Sequence, residues 1–110
     1  MVITWEDFEK IEIRVGTIVK VNDFPKAKKP AYQLTIDFGE HGIKQSSAQI
    51  TIYYSKEDLL NRQVIAVVNF PPKRIADFIS ECLVLGVYDE KDHVVLLNAE
   101  HTVKNGCRIG

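Results

Sequence analysis

Apolar and polar residues alternate along most of this chain, and a period of two is typical of half-buried β-strands. Helical spacing is confined to two short segments, around residues 5–9 and 56–60. The alternating pattern predicts four strands followed by a C-terminal hairpin, over residues 11–22, 32–38, 43–50, 63–70 and 82–97.

The first predicted strand is the longest. Its odd-numbered positions from Ile11 to Val21 are assigned to one face and its even-numbered positions to the other. Gly16 lies in the interior of this strand, which indicates a bend or a bulge. Such a device lets one strand serve both ends of a barrel.

The third predicted strand is unusual because it is polar on both faces. Ordinary core strands are apolar on at least one face. Its polar residues are Lys44, Gln45, Ser46, Ser47 and Gln49. This is the feature that a purely structural interpretation explains least well.

Each short helix begins with a capping signal. Thr4 precedes Asp7 by three residues, and Ser55 precedes Asp58 by the same interval, as in a capping box. The second helix is predicted to be a plug between the third and fourth strands.

These elements predict an all-β fold, a five-stranded barrel with a short N-terminal helix and a short helix between strands three and four. That helix position is typical of the oligonucleotide/oligosaccharide-binding (OB) fold. A small β-sandwich is the alternative. The length of 110 residues predicts a single domain spanning residues 1–110.

Composition excludes some classes of function. Lys and Arg number 14 and Asp and Glu number 15, so the net charge of −1 excludes a strongly basic, non-specific nucleic-acid coat. The first thirty residues contain no apolar run after a basic start, so no signal peptide is expected. The longest aliphatic run is too short to cross a membrane. The two cysteines, Cys82 and Cys107, fit a reduced, cytoplasmic setting better than a disulfide scaffold.

No pattern for catalysis, a metal or a cofactor is found. His41, His93 and His101 lack metal-ligand spacing, and Ser46 and Ser47 lack a nucleophile elbow. Glycine loops that cradle phosphates are absent as well. We therefore expect a protein that is not an enzyme and that needs no metal or cofactor.

Polar and cationic side chains are instead predicted to form a binding surface. In an OB barrel, ligands lie across strands two and three, between the first and fourth connecting loops. Amides and hydroxyls there can bind bases or sugars, and cations can bind phosphates. The predicted residues are Arg14, Lys28, Lys29, Lys44, Gln45, Ser47, Gln49, Lys73 and Arg74.

Several of these residues also have a plainer interpretation. Lys28 and Lys29 fit a solvated loop, and Arg14 can simply pair with Glu12 or with an acid on a neighbouring strand. Tyr32 alternates with apolar positions, which favours a core ring over a platform for base stacking.

Four stretches occur in a specific order along the chain: IRVGTI at 13–18, KPAYQLTIDFG at 29–39, KQSSAQI at 44–50 and VVNFPPKRI at 67–75. Residues 80–86 and the final Asn-Gly and Ile-Gly pairs fit the same pattern. Together they resemble the tRNA-binding OB domains and, among these, the CsaA-like group. The resemblance covers essentially the whole chain.

This resemblance implies an OB barrel that works as a cytoplasmic homodimer and binds tRNA through basic patches on both subunits. It also implies an export-related chaperone activity toward unfolded or pre-export polypeptides. The binding positions of the family correspond here to Arg14, residues 44–49, Lys73, Arg74, Ser80 and Glu81.

The chain departs from the CsaA-like pattern directly after these cations. CsaA-like sequences tend to have a glycine and a further basic residue where this chain has Asp77 and Ile79. An added acid and a missing base predict a weaker local patch.

Aromatic residues supply the surfaces for the other expected partners. A polypeptide would need an exposed apolar groove near the dimer seam, with Phe24, Tyr32, Phe70 and Phe78 as its predicted lining. Trp5 and Phe8 share a face of the N-terminal helix, and with the C-terminal segment they are predicted to form the dimer contact.

Overall fold

A computed structural model describes all 110 residues. Its strands and two one-turn helices follow the predicted order, with one hairpin added. The elements are α1 (Trp5–Glu9), β1 (Ile13–Asp23), β2 (Tyr32–Asp37), a 3-10 turn (Gly39–His41), β3 (Ile43–Ala48), α2 (Lys56–Leu59), β4 (Gln63–Val67), β5 (Lys73–Ile75), β6 (Phe78–Ser80), β7 (Leu83–Val84), β8 (Gly86–Tyr88) and β9 (Val94–Leu96).

Five antiparallel strands form the main sheet, in the order β3-β2-β1-β4-β7. β1 lies at its centre because its first half pairs with β4 and its second half pairs with β2. The sheet curls so that β3 approaches β6 and β7, which nearly closes the barrel. The predicted five-stranded OB barrel is therefore confirmed, and the β-sandwich alternative is wrong. The hairpins β5–β6 and β8–β9 project from it.

The bulge in β1 lies at Val19 rather than at Gly16. Ile18 pairs with Ile36, whereas Lys20 already pairs with Thr35, so Val19 has no partner of its own. Because a bulge exchanges the two faces of a strand, the single apolar face predicted for residues 11–21 is wrong. Ile18 is fully buried and Val19 is exposed, and Val21 packs against the core on the far side of the bulge.

Gly16 has a different role, which is to let β2 pack closely against β1. A Cβ atom on Gly16 would lie 2.7 Å from Cγ2 of Ile36 and equally close to the ring of Phe38. Both neighbours are fully buried. The position requires glycine because any side chain would overlap the barrel core.

The core is formed by the inward residues of the five strands and by one helix. Its fully buried members include Ile18, Leu34, Ile36, Phe38, Leu59 and Val64. Leu59 comes from α2, so this helix closes the end of the barrel as predicted. Both predicted capping boxes are present, Thr4 with Asp7 and Ser55 with Asp58. None of the helices has the length and apolar character needed to cross a bilayer.

Candidate nucleic-acid interface

A trough runs over one side of the barrel, and it consists of three adjoining depressions that share Ser47 and Gln49. The largest, of about 770 Å³, lies between β3 and the β5–β6 hairpin. A second, of about 410 Å³, lies beneath the loop before β2. The third, of about 480 Å³, extends to the β8–β9 hairpin. This position is the one that OB barrels use for ligands.

The alternation of β3 explains why its sequence is polar on both faces. Ser46 and Ala48 point into the barrel and are buried, whereas Ser47 and Gln49 line the trough. Ser46 tolerates burial because its hydroxyl donates a hydrogen bond to the carbonyl of Cys82 at 3.0 Å. The outward face of β3 is thus an open polar surface.

The barrel closes beside this surface through Ser80 and Glu81. The amide of Glu81 donates to the carbonyl of Gln45 at 2.8 Å, and the amide of Gln45 donates to the Glu81 carboxylate at 2.9 Å. The amide of Ser47 donates to the hydroxyl of Ser80 at 3.2 Å. The Glu81 carboxylate and the Ser80 hydroxyl therefore accept hydrogen bonds that backbone carbonyls accept in a regular β-ladder. Both residues also line the largest depression.

The β5–β6 hairpin places Lys73 and Arg74 at the rim of the trough. Sequence reasoning did not predict this hairpin and placed the two cations at a strand exit. Lys73 pairs with Ser80 and Ile75 pairs with Phe78, across a two-residue turn in which Ala76 has a φ of 53°. The hairpin could have been predicted from the apolar residues Ile75 and Phe78, which flank that short turn in the sequence.

The loop before β2 forms a second part of the rim and packs against the β5–β6 hairpin through a small core. Phe24, Ala31 and Phe78 are buried together, with the rings of Phe24 and Phe78 5.5 Å apart. Lys26 forms a surface ion pair with Asp77 at 3.2 Å, which connects this loop to the β5–β6 hairpin.

Asp77 therefore lowers the positive charge of the rim, because its carboxylate neutralises Lys26. Lys28 and Lys29 remain exposed on the same loop, and neither forms an ion pair. Lys73 and Arg74 on the β5–β6 hairpin are likewise unpaired with an acid. Four cations therefore remain available to phosphates along the trough.

Three of the predicted binding residues lie outside the trough. The Arg14 side chain is only 19% exposed, and it donates to Glu12 at 2.8 Å and to the carbonyl of Gly106 at 2.9 Å. Arg14 lines a separate, smaller depression beside His41. Lys44 and Gln45 line none of the three depressions of the trough. The ion pair of Arg14 with Glu12 is therefore present, and a binding role for Arg14 stays a prediction.

The aromatic residues divide into buried and exposed sets. Phe24 and Phe78 are 5% and 8% exposed, and Tyr32 packs against the core and donates to the carbonyl of Tyr54 at 2.8 Å. The expectation of an exposed groove made from four rings is therefore corrected, since only Phe70 of that set is open to solvent. The reason is that the loop before β2 needs a core to hold its shape.

The N-terminal pair has a different environment. Trp5 is 83% exposed and Phe8 is partly exposed, and α1 contains no buried residue. The preceding residues Met1, Val2 and Ile3 are exposed as well. The single chain therefore leaves an apolar surface open to solvent at Met1, Val2, Ile3 and Trp5.

Cys82 and Glu81 line the largest depression, and burial changes the ionisation of the Cys82 thiol. Burial raises the pKa of the Cys82 thiol to about 11, so this thiol is protonated and unreactive near neutral pH. No cluster of three or more His, Cys, Asp or Glu side chains is arranged to hold a metal ion. The arrangement of amides, hydroxyls and cations in the trough can bind an anionic chain.

Comparison with known proteins agrees with this geometry. The family described as "Putative tRNA binding domain" matches residues 13–108. The chain is similar to the solved structure of the CsaA chaperone protein from Picrophilus torridus, with 55% sequence identity, a TM-score of 0.93 and coverage of 99% of this chain and 100% of that one. It is also similar to chaperone CsaA from Bacillus anthracis str. Ames, with 50% identity, a TM-score of 0.95 and complete coverage of both chains.

Curated relatives include much longer proteins. The methionine–tRNA ligase of Thermococcus onnurineus is 40% identical over 107 residues, which are 97% of this chain but 14% of that protein. The chain spans about 14–16% of the length of the curated relatives it matches.

Proposed function

The chain belongs to the family of putative tRNA-binding domains, and from this premise we propose that it binds tRNA in the trough, without catalysing a reaction. The observation that carries the proposal is the composition of the trough. The amide group of Gln49 and the hydroxyl group of Ser47 line it, together with cations from the loop before β2 and from the β5–β6 hairpin. Such a surface contacts phosphates and sugars, and it reads the shape of an RNA more than its sequence.

We propose further that two copies of the chain act together. The exposed apolar segment that includes Ile3 and Trp5 is the surface we assign to the second copy. A monomer with a net charge of −1 offers few cations to one RNA, and a two-fold axis doubles them. Two linked weak contacts raise avidity by roughly 10²–10⁴ where the geometry allows both.

Gel-shift titration with tRNA at several salt concentrations tests the binding proposal. Because binding through phosphates releases counterions, we expect the affinity to fall steeply as salt rises. No shift at micromolar protein, or an affinity that is independent of salt, would reject it. Sedimentation tests the dimer, for which a species of only 12.5 kDa at micromolar concentration is the contrary result.

A second candidate function is the binding of unfolded polypeptides, including chains awaiting export. It is favoured by the likeness to two structures named as CsaA chaperones. Phe70 and Leu83 give the largest depression an exposed apolar side. Suppression of client aggregation that is insensitive to salt and to Lys73→Ala would favour this function over tRNA binding.

The likeness to methionine–tRNA ligases leads to no proposal of ligase activity, since the chain corresponds to a small part of those proteins. A tRNA ligand fits a cytoplasmic location, which we propose as well. Competition between tRNA and an unfolded client would show whether the two functions share one surface.

A further inference from the structure

Two exposed aromatic residues line two different depressions of the trough. Phe70 is 53% exposed beside the largest depression, and Tyr88 is 74% exposed beside the depression that reaches the β8–β9 hairpin. The two depressions are continuous, because Ser47, Gln49 and Leu83 line both of them. A single exposed ring is common on protein surfaces, but two rings in one trough call for an explanation.

The local backbone holds both rings in place. Phe70 is followed by Pro71 and Pro72, whose fixed φ angles restrict the chain at this point. Tyr88 is the last residue of β8 and pairs with Val94 across the hairpin. Both rings are therefore presented from restrained backbone, which lowers the entropy lost when a ligand stacks on them.

Hydrogen-bonding and cationic groups lie between the two rings. Lys29 lines the depression beside Tyr88, and Lys73 and Arg74 line the depression beside Phe70. Gln49 is exposed in both, and its amide can donate to and accept from the edge of a base. Aromatic faces interleaved with cations along a groove are the pattern that binds single-stranded nucleic acids.

We propose that the trough holds an unpaired stretch of RNA, with one base stacked on Phe70 and another stacked on Tyr88. This inference rests on the proposed function and specifies which part of a tRNA the site would take, a loop or a free end. In a duplex the faces of the bases are covered by their neighbours, so the two rings would contact no base. The separate volumes of about 770 and 480 Å³ are also in the range that encloses small ligands.

The experiment compares tRNA, a short unpaired RNA of mixed sequence and the duplex of that RNA with its complement, each by fluorescence anisotropy. The variants are Phe70→Leu and Tyr88→Leu, with Phe70→Tyr and Tyr88→Phe as replacements that keep a ring. Val87→Ala is the matched control, because Val87 is exposed on the same hairpin but does not line the trough. A 2-aminopurine in the unpaired RNA reports stacking directly.

We expect the unpaired RNA to bind and to displace tRNA, and the duplex to compete weakly. Each leucine variant should weaken binding of the unpaired RNA about tenfold and reduce the 2-aminopurine signal. The ring-keeping variants and Val87→Ala should bind like the parent protein.

Two results would overturn the inference, a failure of the unpaired RNA to bind and an affinity that is unchanged in both leucine variants. In either case tRNA binding by the same samples would leave the proposed function standing. Binding of the unpaired RNA without binding of tRNA would instead reject the proposed function alone. Displacement by an unfolded polypeptide, with no binding of the unpaired RNA, would assign the rings to the second candidate ligand.

Discussion

Gln45 and Glu81 exchange two hydrogen bonds across the edge of the barrel, one through the backbone of Glu81 and one through its carboxylate. The carboxylate oxygen lies 2.9 Å from the amide of Gln45 and fills the place of a strand carbonyl. The edge of β3 would otherwise present an unpaired amide, which is a liability of open sheet edges. Glu81 is therefore part of the closure of the barrel as well as part of the trough.

We predict that Glu81→Ala destabilises the protein by about 1 kcal/mol, because the amide of Gln45 loses its acceptor. Glu81→Gln should have nearly the parent stability, since its side-chain carbonyl can accept the same hydrogen bond. Urea unfolding of both variants measures the difference. Equal midpoints for Glu81→Ala and the parent would contradict the closing role.

Glu81→Gln also separates a structural role from contact with the ligand. If the carboxylate only closes the barrel, the folded variant should bind tRNA at least as tightly as the parent, because a negative charge has been removed from the depression that Lys73 also lines. A tenfold loss of affinity in this variant would show that the carboxylate itself contacts the RNA.

Lys73 and Arg74 are predicted to supply phosphate contacts from the β5–β6 hairpin. Lys73→Ala and Arg74→Ala should each weaken tRNA binding and should each reduce the slope of log affinity against log salt by about 1. Lys20→Ala is the control, since Lys20 is exposed on β1 and lines no part of the trough. A loss of affinity with an unchanged slope would mean that the two cations act by some route other than phosphate binding.

Asp77 gives the opposite prediction, because it neutralises Lys26 at the rim of the trough. Asp77→Asn should free this lysine and strengthen tRNA binding by about two- to fivefold at low salt, the range for an exposed ion pair. Stability should change by less than about 0.5 kcal/mol, since both side chains are on the surface. Gel-shift titrations of Asp77→Asn and of Asp77→Asn with Lys26→Ala measure the effect, and the double variant should lose the gain. A gain that persists without Lys26 would contradict this account.

The barrel, both capping boxes and the plug helix were predictable because each depends on local pattern. Alternation identifies strands, and the pairs Thr4 with Asp7 and Ser55 with Asp58 satisfy helix ends whatever surrounds them. The face reversal in β1 was not predictable. The reversal depends on the bulge at Val19, which forms when β1 pairs with β2. Valine at that position does not indicate a bulge.

The residue types that form the candidate site were predictable, but the individual residues that lie in it were not. Ser47, Gln49, Lys73 and Arg74 meet in the trough, yet Arg14 does not, because the nearby Gly106 carbonyl and Glu12 carboxylate bind its guanidinium. The contact with Gly106 depends on tertiary structure, whereas Glu12 is only two residues away along the chain and was an expected partner. The burial of Phe24 and Phe78 also depends on tertiary structure, since these two rings meet only after the loop and the hairpin have formed.

Gly16 is predicted to be intolerant of a side chain. Gly16→Ala would place a methyl group 2.7 Å from Ile36 and Phe38, and overpacking of this kind costs about 1–3 kcal/mol. Gly110→Ala is the matched control, because a methyl group added there would have no atom within 4 Å. Thermal unfolding compares the two, and a melting temperature for Gly16→Ala equal to that of the control would show that β2 can move away from β1 at little cost.

Cys82 makes stability depend on alkaline pH. Burial raises the pKa of its thiol from 9.0 to about 11, so the unfolded chain loses this proton at a lower pH than the folded protein does. Between these values the folded state binds more protons, and its stability therefore falls as pH rises from about 9 toward 11. In a Cys107→Ser background, we expect the stability difference between the parent and Cys82→Ala to be constant from about pH 7 to 8.5 and to shrink above about pH 9. Urea midpoints across this range measure that difference, and a value that stays constant up to about pH 10.5 would show that the folded thiol ionises as readily as a free one.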